Sequence, residues 1–435
     1  MAPHLPPGLG GTDAGQSSTD SLAGIEKAAL GIDVSGFADY RYGQRVRSTD
    51  LNEQTSINEA RLHIATEKQG DRWSVDAAAD FVFDDAAPSQ QIDLESGDGW
   101  FDLRRLNLLW TPAPDVDIRI GRQILTWGTG DLFFLNDLFP KDWGYFLGRD
   151  LEYVKAPSDA VKLSWYTDIA NIDVVYTPRF DADRFIDGER QSFWNGVAGG
   201  LVGQDGVIRV HKPDDWFNDD EFALRLYRNL QGVELALYGF DGFYKSPAGY
   251  DQVSDRFLFP RLRTFGASVR APMGPGVFNA EFAYWDSRDD PDGTNPFVDN
   301  GENRYLLGYE WEAARDFTVG LQYYVEQMHH HDAYLAGLPP GAPPRRENRH
   351  VVSMRLTALL LSQNLKLSWF SYYTPRNADL YVRPELNYRV DDHWSVEVGA
   401  NWFDNGDNEL DADLGQLTFN SNVYGMIRYS FAGGI

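Results

Sequence analysis

The 435-residue sequence contains no cysteine. This absence excludes disulfides, thiolate metal sites, cysteine nucleophiles and haem attached through Cys-x-x-Cys-His. Basic residues are also few beside acidic ones, since 39 Lys and Arg stand against 65 Asp and Glu, a formal net charge of -26. Nucleic acid and anionic membrane surfaces would repel such a chain, so neither is an expected partner.

Long hydrophobic runs are missing as well. No stretch approaches the roughly 20 apolar residues of a transmembrane helix, so a membrane protein with this sequence would have to be a closed β-barrel. The first residues lack the basic start and apolar core of a signal peptide. This absence indicates either a cytoplasmic protein or a mature chain given a new Met, and we favour the second because the remainder is typical of an exported protein.

The domain organisation predicted from composition is simple. Residues 1–22 are rich in Pro, Gly and Ser and are expected to be flexible. No break in composition divides the rest of the chain, and single barrels are an exception to the usual prior on domain length. Residues 23–435 are therefore predicted to form one barrel domain.

Strand candidates with a two-residue period recur along the whole chain. After a first strand near 31–47 come eight hairpins closed by short turns, and a last strand runs from about 417 to 431. This order predicts an all-β, antiparallel, up-and-down transmembrane β-barrel of about 18 strands. The predicted turns lie near 69–71, 111–114, 167–169, 229–232, 272–275, 314–316, 362–364 and 390–392.

The connections between the hairpins are long and polar. Short turns on one rim and long loops on the other are typical of an outer-membrane barrel with short periplasmic turns and long extracellular loops. A soluble antiparallel sheet with one wet face is the alternative. Aromatic residues cluster at the ends of the apolar strand faces, where they suit a lipid interface, so lipid and lipopolysaccharide are expected partners. The long loops lie near 48–55, 85–98, 127–159, 179–219, 246–256, 287–302, 331–346, 375–378 and 404–415.

Two strands fit the alternation poorly. Arg122 falls on the apolar face of its strand, and Arg104 and Arg105 cannot both face water. A β-bulge, which inserts one extra residue into a strand, would correct the pattern in either place.

The last strand carries the most specific signal. Residues 422–431, NVYGMIRYSF, resemble the terminal strand of bacterial outer-membrane proteins, in which alternate apolar residues lead to a final Phe read by the assembly machinery. Four residues follow Phe431 here, which departs from that pattern. Other stretches resemble the alginate-export-type group of outer-membrane barrels, and the resemblance implies a barrel and transport in the outer membrane of a Gram-negative bacterium, without naming a substrate. They are GRQ-x-x-x-WG-x-x-D (121–131), NDLFPKDW (136–143) and KAPSDAVKLSWY (155–166).

The segment 127–159 differs from every other loop. Alternation stops after Thr126, a turn with two glycines follows, and large apolar residues continue to Phe146 without a strand of their own. So much apolar surface has to be buried. We predict that the segment folds into the mouth of the barrel and controls passage, whereas the alternative is a lid packed over the extracellular rim. The residues predicted to face the lumen here are Asp131, Asn136, Asp137, Lys141 and Asp142, beside Arg119 and Arg122.

Charges of both signs lie on the predicted inward faces of the strands. A barrel of about 18 strands has a water-filled interior, so these charges need not be desolvated. Opposite charges on neighbouring strands could pair and stiffen the wall, or they could form a transverse field that orients a polar solute. Further constriction candidates on these faces are Arg61, Arg225, Arg355, Arg383 and Glu385.

The predicted function is a channel for passive diffusion of small hydrophilic solutes, because no nucleotide-binding motif offers another source of energy. An exporter of polyanionic polysaccharide is an alternative, although its lumen should be mainly basic. A second alternative is a sheath around a multihaem cytochrome or another periplasmic partner. Enzyme activity is not expected, because the eight histidines occur without a Gly-x-Ser-x-Gly motif.

One loop offers hard oxygen ligands beside a turn glycine, which is the chemistry that calcium prefers. The spacing is not that of an EF-hand, and an ordinary acidic loop is the alternative. The run His329 to Asp332 is a second metal candidate, disfavoured because adjacent side chains on a strand point in opposite directions. No other cofactor is expected. The predicted calcium ligands are Asp290, Asp292, Asn295 and Asp299.

Overall fold

A computed structural model describes residues 33–47, 49–86, 91–342, 344–376, 378–406 and 414–434. The N-terminal segment 1–22 and its predicted flexibility lie outside these residues. No helix in the described ranges is long or apolar enough to cross a membrane. The helices are α1 (His331–Gly337) and two short 3-10 helices, Leu151–Val154 and Gly415–Asn420.

Within the same residues the chain forms 23 strands, of which 18 make one antiparallel sheet. They are β1 (Asp33–Arg45), β2 (Thr55–Gln69), β3 (Trp73–Asp84), β4 (Phe101–Ala113), β5 (Val116–Ile124), β6 (Pro157–Tyr166), β7 (Asn171–Thr177), β8 (Phe193–Asn195), β9 (Gly200–Val202), β10 (Val210–His211), β11 (Glu221–Leu230), β12 (Val233–Phe243), β13 (Gly249–Asp251), β14 (Arg256–Leu258), β15 (Arg261–Met273), β16 (Gly276–Ser287), β17 (Glu302–Ala314), β18 (Phe317–Met328), β19 (Asn348–Leu360), β20 (Leu365–Thr374), β21 (Asp379–Arg389), β22 (Trp394–Asn405) and β23 (Asn422–Gly434).

The sheet closes into a barrel because β1 pairs with β2 on one side and with β23 on the other. The short strands β8, β9, β10, β13 and β14 belong to loops and form two small sheets of their own. The predicted all-β barrel of about 18 strands is therefore confirmed. All eight predicted turns coincide with short connections between neighbouring barrel strands.

The last strand departs from its predicted bounds. It begins at Asn422 rather than near residue 417, because Gly415–Asn420 forms a 3-10 helix. It also continues past Phe431, whose backbone pairs with Gly36 of β1, and ends at Gly434. The residues that follow the terminal Phe thus extend the seam that closes the barrel.

Exposure alternates along the barrel strands, as a wall with two unlike faces requires. In β18, Leu321 and Tyr323 are 41% and 43% exposed, whereas Tyr324 is 3% exposed. The outer positions are mostly large apolar residues, and Val398 is 62% exposed among them. An apolar band this extensive is expected where lipid, not water, covers the barrel.

The predicted bulge is present at Arg104. The register of β3 and β4 shifts there, since Ala78 pairs with Arg105 and Ala79 with Leu103. One extra residue in β4 allows Arg104 to be buried while Arg105 Nε lies 2.8 Å from the inward Asp76.

No such correction occurs at Arg122. It pairs with Leu106, which is 51% exposed, and the register continues without a shift. Arg122 therefore stays on the outward face of β5, and its charge is met by Asp159, 2.7 Å away, and by the carbonyl oxygens of Leu94 and Leu103. The prediction that Arg122 faces the lumen was wrong, because the loop containing Leu94 satisfies this arginine on the outer side.

Candidate solute pathway and the inserted segment

Residues 125–156, called the inserted segment below, connect β5 to β6, which are direct neighbours in the wall. A hairpin turn would suffice for that connection, yet the segment crosses to distant strands. The Trp127 ring lies 6.1 Å from Tyr238 of β12, and the Phe133 ring lies 4.7 Å from Tyr324 of β18. Both tyrosines occupy inward positions of the wall.

The second half of the segment continues around the inside of the barrel. The carbonyl oxygen of Leu147 accepts a hydrogen bond of 2.8 Å from Asn401 of β22. The carbonyl oxygen of Gly148 accepts one of 2.8 Å from Arg41 of β1. Tyr153 then reaches β3, where its hydroxyl donates to Asp80 over 3.4 Å. The segment thus contacts the inner wall around most of the circumference.

Apolar burial accounts for this path. Leu135 is fully buried, and Phe133 and Phe139 are each 4% exposed. Burying one such side chain contributes about 1.5 to 3 kcal/mol, which offsets the entropy lost on ordering a few residues. The first half of the segment shares one apolar cluster with inward wall residues such as Tyr238 and Leu306. The second half packs in another cluster, with Tyr381 and Phe403.

A buried carboxylate on the wall binds the first half of the segment. Glu281 of β16 is 4% exposed. Its carboxylate accepts four hydrogen bonds from two residues of the segment. Its Oε2 accepts from the Thr129 amide at 2.7 Å and the Thr129 hydroxyl at 3.0 Å. Its Oε1 accepts from the Asn136 side-chain amide at 2.9 Å and the Asn136 backbone amide at 3.2 Å.

The segment approaches the wall so closely here that Gly128 and Gly266 are required. Gly128 has φ +84°, and a Cβ on it would lie 2.9 Å from Glu281 Oε1. A Cβ on Gly266 of β15 would lie 1.7 Å from Asn136 Oδ1. Side chains at either position would therefore push the segment away from Glu281.

An ion pair forms the next anchor. Asp131 receives two hydrogen bonds from the Arg355 guanidinium of β19, and its backbone amide donates to Gln322 of β18 at 2.9 Å. The side chains of Arg355 and Asp131 keep 25% and 17% of their surface exposed. Asp131 and Arg355 were each predicted to line the constriction, and together they form a contact that keeps some access to solvent.

A charged network fixes the far end of the segment. Arg149 Nη2 lies 2.7 Å from the buried Glu59 of β2. Asp150 lies 2.8 Å from Arg41 and 2.9 Å from Arg428, on β1 and β23. Burial alone would raise the pKa of Asp150, but these two guanidinium groups outweigh it and hold that pKa well below its usual range.

Four of the predicted lumen residues do not face the lumen. Asn136, Asp137, Lys141 and Asp142 are each at most 5% exposed. Lys141 pairs with Asp137 at 3.1 Å, and Asp142 pairs with Arg184 at 3.1 Å. The prediction was wrong for these four residues. Asp137 and Lys141 pair with each other, Asp142 pairs with a neighbouring loop, and Asn136 binds Glu281 and the Phe282 carbonyl of the wall.

The wall candidates are inward but differ in accessibility. Arg119 donates to Asn107 at 3.1 Å, and Arg225 lies 3.0 Å from Glu234, so both are bound to neighbouring strands. Arg61 is buried against Asp39 at 2.9 Å. Arg383 donates to the carbonyl oxygens of Phe146 and Arg149 at 3.2 and 2.9 Å and thereby supports the inserted segment. Glu385 is 3.5 Å from Arg383 and its side chain is 19% exposed.

Several residues at the site were not among the sequence candidates. Glu281 and Gln322 lie on predicted inward faces, but alternation alone does not show which wall residues meet the segment. Arg184 belongs to the loop between β7 and β11, and its guanidinium joins Asp102 of β4 to Asp142. No signal in the sequence would have singled out Arg184, because its loop contains several other basic residues.

The predicted calcium ligands are engaged in other contacts. The two carboxylate oxygens of Asp290 accept from the backbone amides of Thr294 and Asn295 at 3.2 and 2.8 Å. Asp299 forms an ion pair of 2.7 Å with Arg345. In the part of the chain that the structure describes, no three His, Cys, Asp or Glu residues are grouped to hold a metal ion. Asp292 is the fourth predicted ligand, and the calcium site stays a prediction.

The closed antiparallel barrel with short turns on one rim is the fold of outer-membrane porins. No protein-family model matches the sequence, and no curated protein matches it. Solved structures match in fold: OccK5 (OpdH) of Pseudomonas aeruginosa is 10% identical, with a TM-score of 0.51 over 92% of this chain and 98% of that chain. OccAB2 of Acinetobacter baumannii is 12% identical, with a TM-score of 0.50 over 94% of this chain and 99% of that chain. The resemblance to the alginate-export-type group stays a prediction.

Proposed function

We propose that this protein is an outer-membrane channel for passive diffusion of small hydrophilic solutes, and that the inserted segment sets its narrowest point. The observation that carries the proposal is the path of the segment around the inner wall, from Tyr238 to Asp80. Any solute that crosses the barrel has to pass beside this segment. The exposed apolar outer face supports a place in a lipid bilayer.

The charges beside the segment support small polar solutes of either sign. The partly exposed inner groups include basic Arg105 and Arg355 and acidic Asp131 and Glu385. A mixed lining of this kind offers partners for both ends of a dipolar solute. It does not favour the polyanionic polysaccharide that an exporter would carry.

The sheath alternative is less well supported. A partner protein enclosed by the barrel needs the interior space that the inserted segment occupies with side chains such as Phe133 and Phe146. A sheath would therefore require the segment to leave the inner wall and expose these rings. We retain the small-solute channel as the conclusion.

Planar-bilayer recording tests the proposal. A variant in which Leu132 to Lys141 are replaced by a short Gly-Ser linker should fold as a barrel and show a larger single-channel conductance than the natural protein. The matched control removes residues 252–254 from another loop, where Val253 is 96% exposed, and should leave conductance unchanged. Folded protein that conducts nothing, with or without the inserted segment, would exclude the channel.

A further inference from the structure

Glu281 is unusual among the acidic residues of the wall because the groups that contact its carboxylate are uncharged. Thr129 and Asn136 supply two hydrogen-bond donors each. The Thr129 hydroxyl accepts from the Asn279 side-chain amide at 3.0 Å, and its own hydrogen is available to donate to the carboxylate. The Asn136 amide nitrogen also donates to the Phe282 carbonyl at 3.1 Å, which fixes its orientation. The site is therefore complementary to an ionised carboxylate.

The charged residues on the strands and the segment around Glu281 that form ion pairs do so with other partners. Ser268 and Leu306 lie directly opposite Glu281 on β15 and β17. The inward cations nearest on these strands are Arg270, opposite Asn279, and Arg304, which is held by Glu302. On β12 the titratable neighbour is Tyr238. The charged residues of the segment near Thr129 and Asn136 are Asp131, which is held by Arg355, and Asp137, which is paired with Lys141.

We propose that Glu281 is a positioning residue that holds the inserted segment against the wall while its carboxylate is ionised, and releases it when the carboxylate is protonated. This inference rests on the proposed channel function. A protonated carboxyl turns one oxygen into a donor, which would face N–H groups of Thr129 or Asn136 that cannot accept, and the Thr129 hydroxyl could accept from it only by giving up its own donation. The first half of the segment would then lose hydrogen bonds to Glu281, and the passage beside the segment would widen.

The chain has a counterpart that separates positioning from a general effect of charge. Glu234 is also an inward glutamate, and its side chain is 33% exposed and paired with Arg225. Within the part of the chain that the structure describes, its carboxylate bonds to Arg225 of the neighbouring strand and not to the inserted segment. Glu234→Gln removes one carboxylate from the inner wall, as Glu281→Gln does, and leaves the Thr129 and Asn136 contacts in place.

The experiment is single-channel recording of the natural protein, Glu281→Gln and Glu234→Gln between about pH 4 and pH 8. We expect the natural protein and Glu234→Gln to switch to a higher conductance as the pH falls. Glu281→Gln should show the higher conductance throughout, without a pH step. A natural pH profile in Glu281→Gln would overturn the proposal while the channel function stands, whereas absence of conductance in every variant, including the linker variant, would instead remove the channel function.

A second variant keeps the test decisive if Glu281→Gln does not fold. Thr129→Val with Asn136→Ala removes both side-chain donors and leaves the wall and its carboxylate unchanged. Fewer donors stabilise the ionised carboxylate less, so the conductance step should move to higher pH. A step at the natural pH would contradict the positioning role. Protease sensitivity of the segment in the folded barrel should rise together with conductance.

Discussion

The side-chain amide of Asn136 lies against the Cα of Gly266, so close that a Cβ on residue 266 would be 1.7 Å from Asn136 Oδ1. The two residues belong to the inserted segment and to the wall strand β15. Asn136 also donates two hydrogen bonds to Glu281. These bonds can form only because residue 266 has no side chain in the place that Asn136 occupies.

Gly266→Ala should displace Asn136 and weaken both of its bonds to Glu281. A hydrogen bond to a charged group contributes about 1.5 to 3 kcal/mol, so we expect a lower unfolding midpoint in urea and a larger conductance. The control is Gly239→Ala on β12, where an added Cβ meets no heavy atom within 4 Å. If both variants have the same urea midpoint and the same conductance, the close approach of Asn136 to Gly266 does not contribute to either.

The pair of Asp131 and Arg355 should be energetically coupled. In a double-mutant cycle with Asp131→Asn and Arg355→Gln, we expect a coupling free energy of about 1 to 3 kcal/mol, because both side chains are mostly buried and bind through two hydrogen bonds. Each single variant should also raise conductance. Arg119→Gln is the control, since Arg119 donates to Asn107 on a neighbouring strand. Strict additivity in unfolding free energy would contradict the coupling.

Loss of the Arg149 side chain should destabilise the folded barrel strongly. Arg149→Met would leave the buried Glu59 with Arg61, whose Nε is 3.7 Å away. Removing one partner of a buried ion pair costs about 3 to 5 kcal/mol. Urea unfolding in lipid vesicles, followed by Trp fluorescence, measures this loss. Adding Glu59→Gln should recover part of it, whereas Arg315→Met, at a side chain that is 94% exposed, should have no effect.

Asp150 predicts a specific dependence of stability on pH. Its pKa in the folded protein is lowered, so its contribution is fully present above the pKa of the unfolded chain and is lost as the pH falls through the folded value. Asp150→Asn should therefore lower the unfolding midpoint at pH 7. The difference from the natural protein should shrink only below the ordinary carboxyl range, under about pH 4. A difference that vanishes already at pH 6 would show that Arg41 and Arg428 do not stabilise the carboxylate.

Local sequence patterns were sufficient for the barrel. A strand that separates two environments must alternate, and each tight turn needs Gly, Asn, Asp or Pro at particular positions, so both signals are contained in a few neighbouring residues. The eight turns and the bulge at Arg104 could be predicted for this reason. The start of β23 could not, because the 3-10 helix Gly415–Asn420 packs its buried Leu417 against Phe403 of β22.

The tertiary structure alone decided which polar groups of the inserted segment are buried. Asp137, Lys141 and Asp142 are polar in sequence, yet their charges meet inside the protein. Asn136 finds Glu281 across a separation of 145 residues. A polar group can be buried only where its partner is already in place, and no periodicity in the sequence records a contact between a loop and a strand so far away. The sequence by itself therefore determined a wall with an apolar outside and a polar inside, and the three-dimensional fold determined which of those inner groups hold the segment and which stay open to a solute.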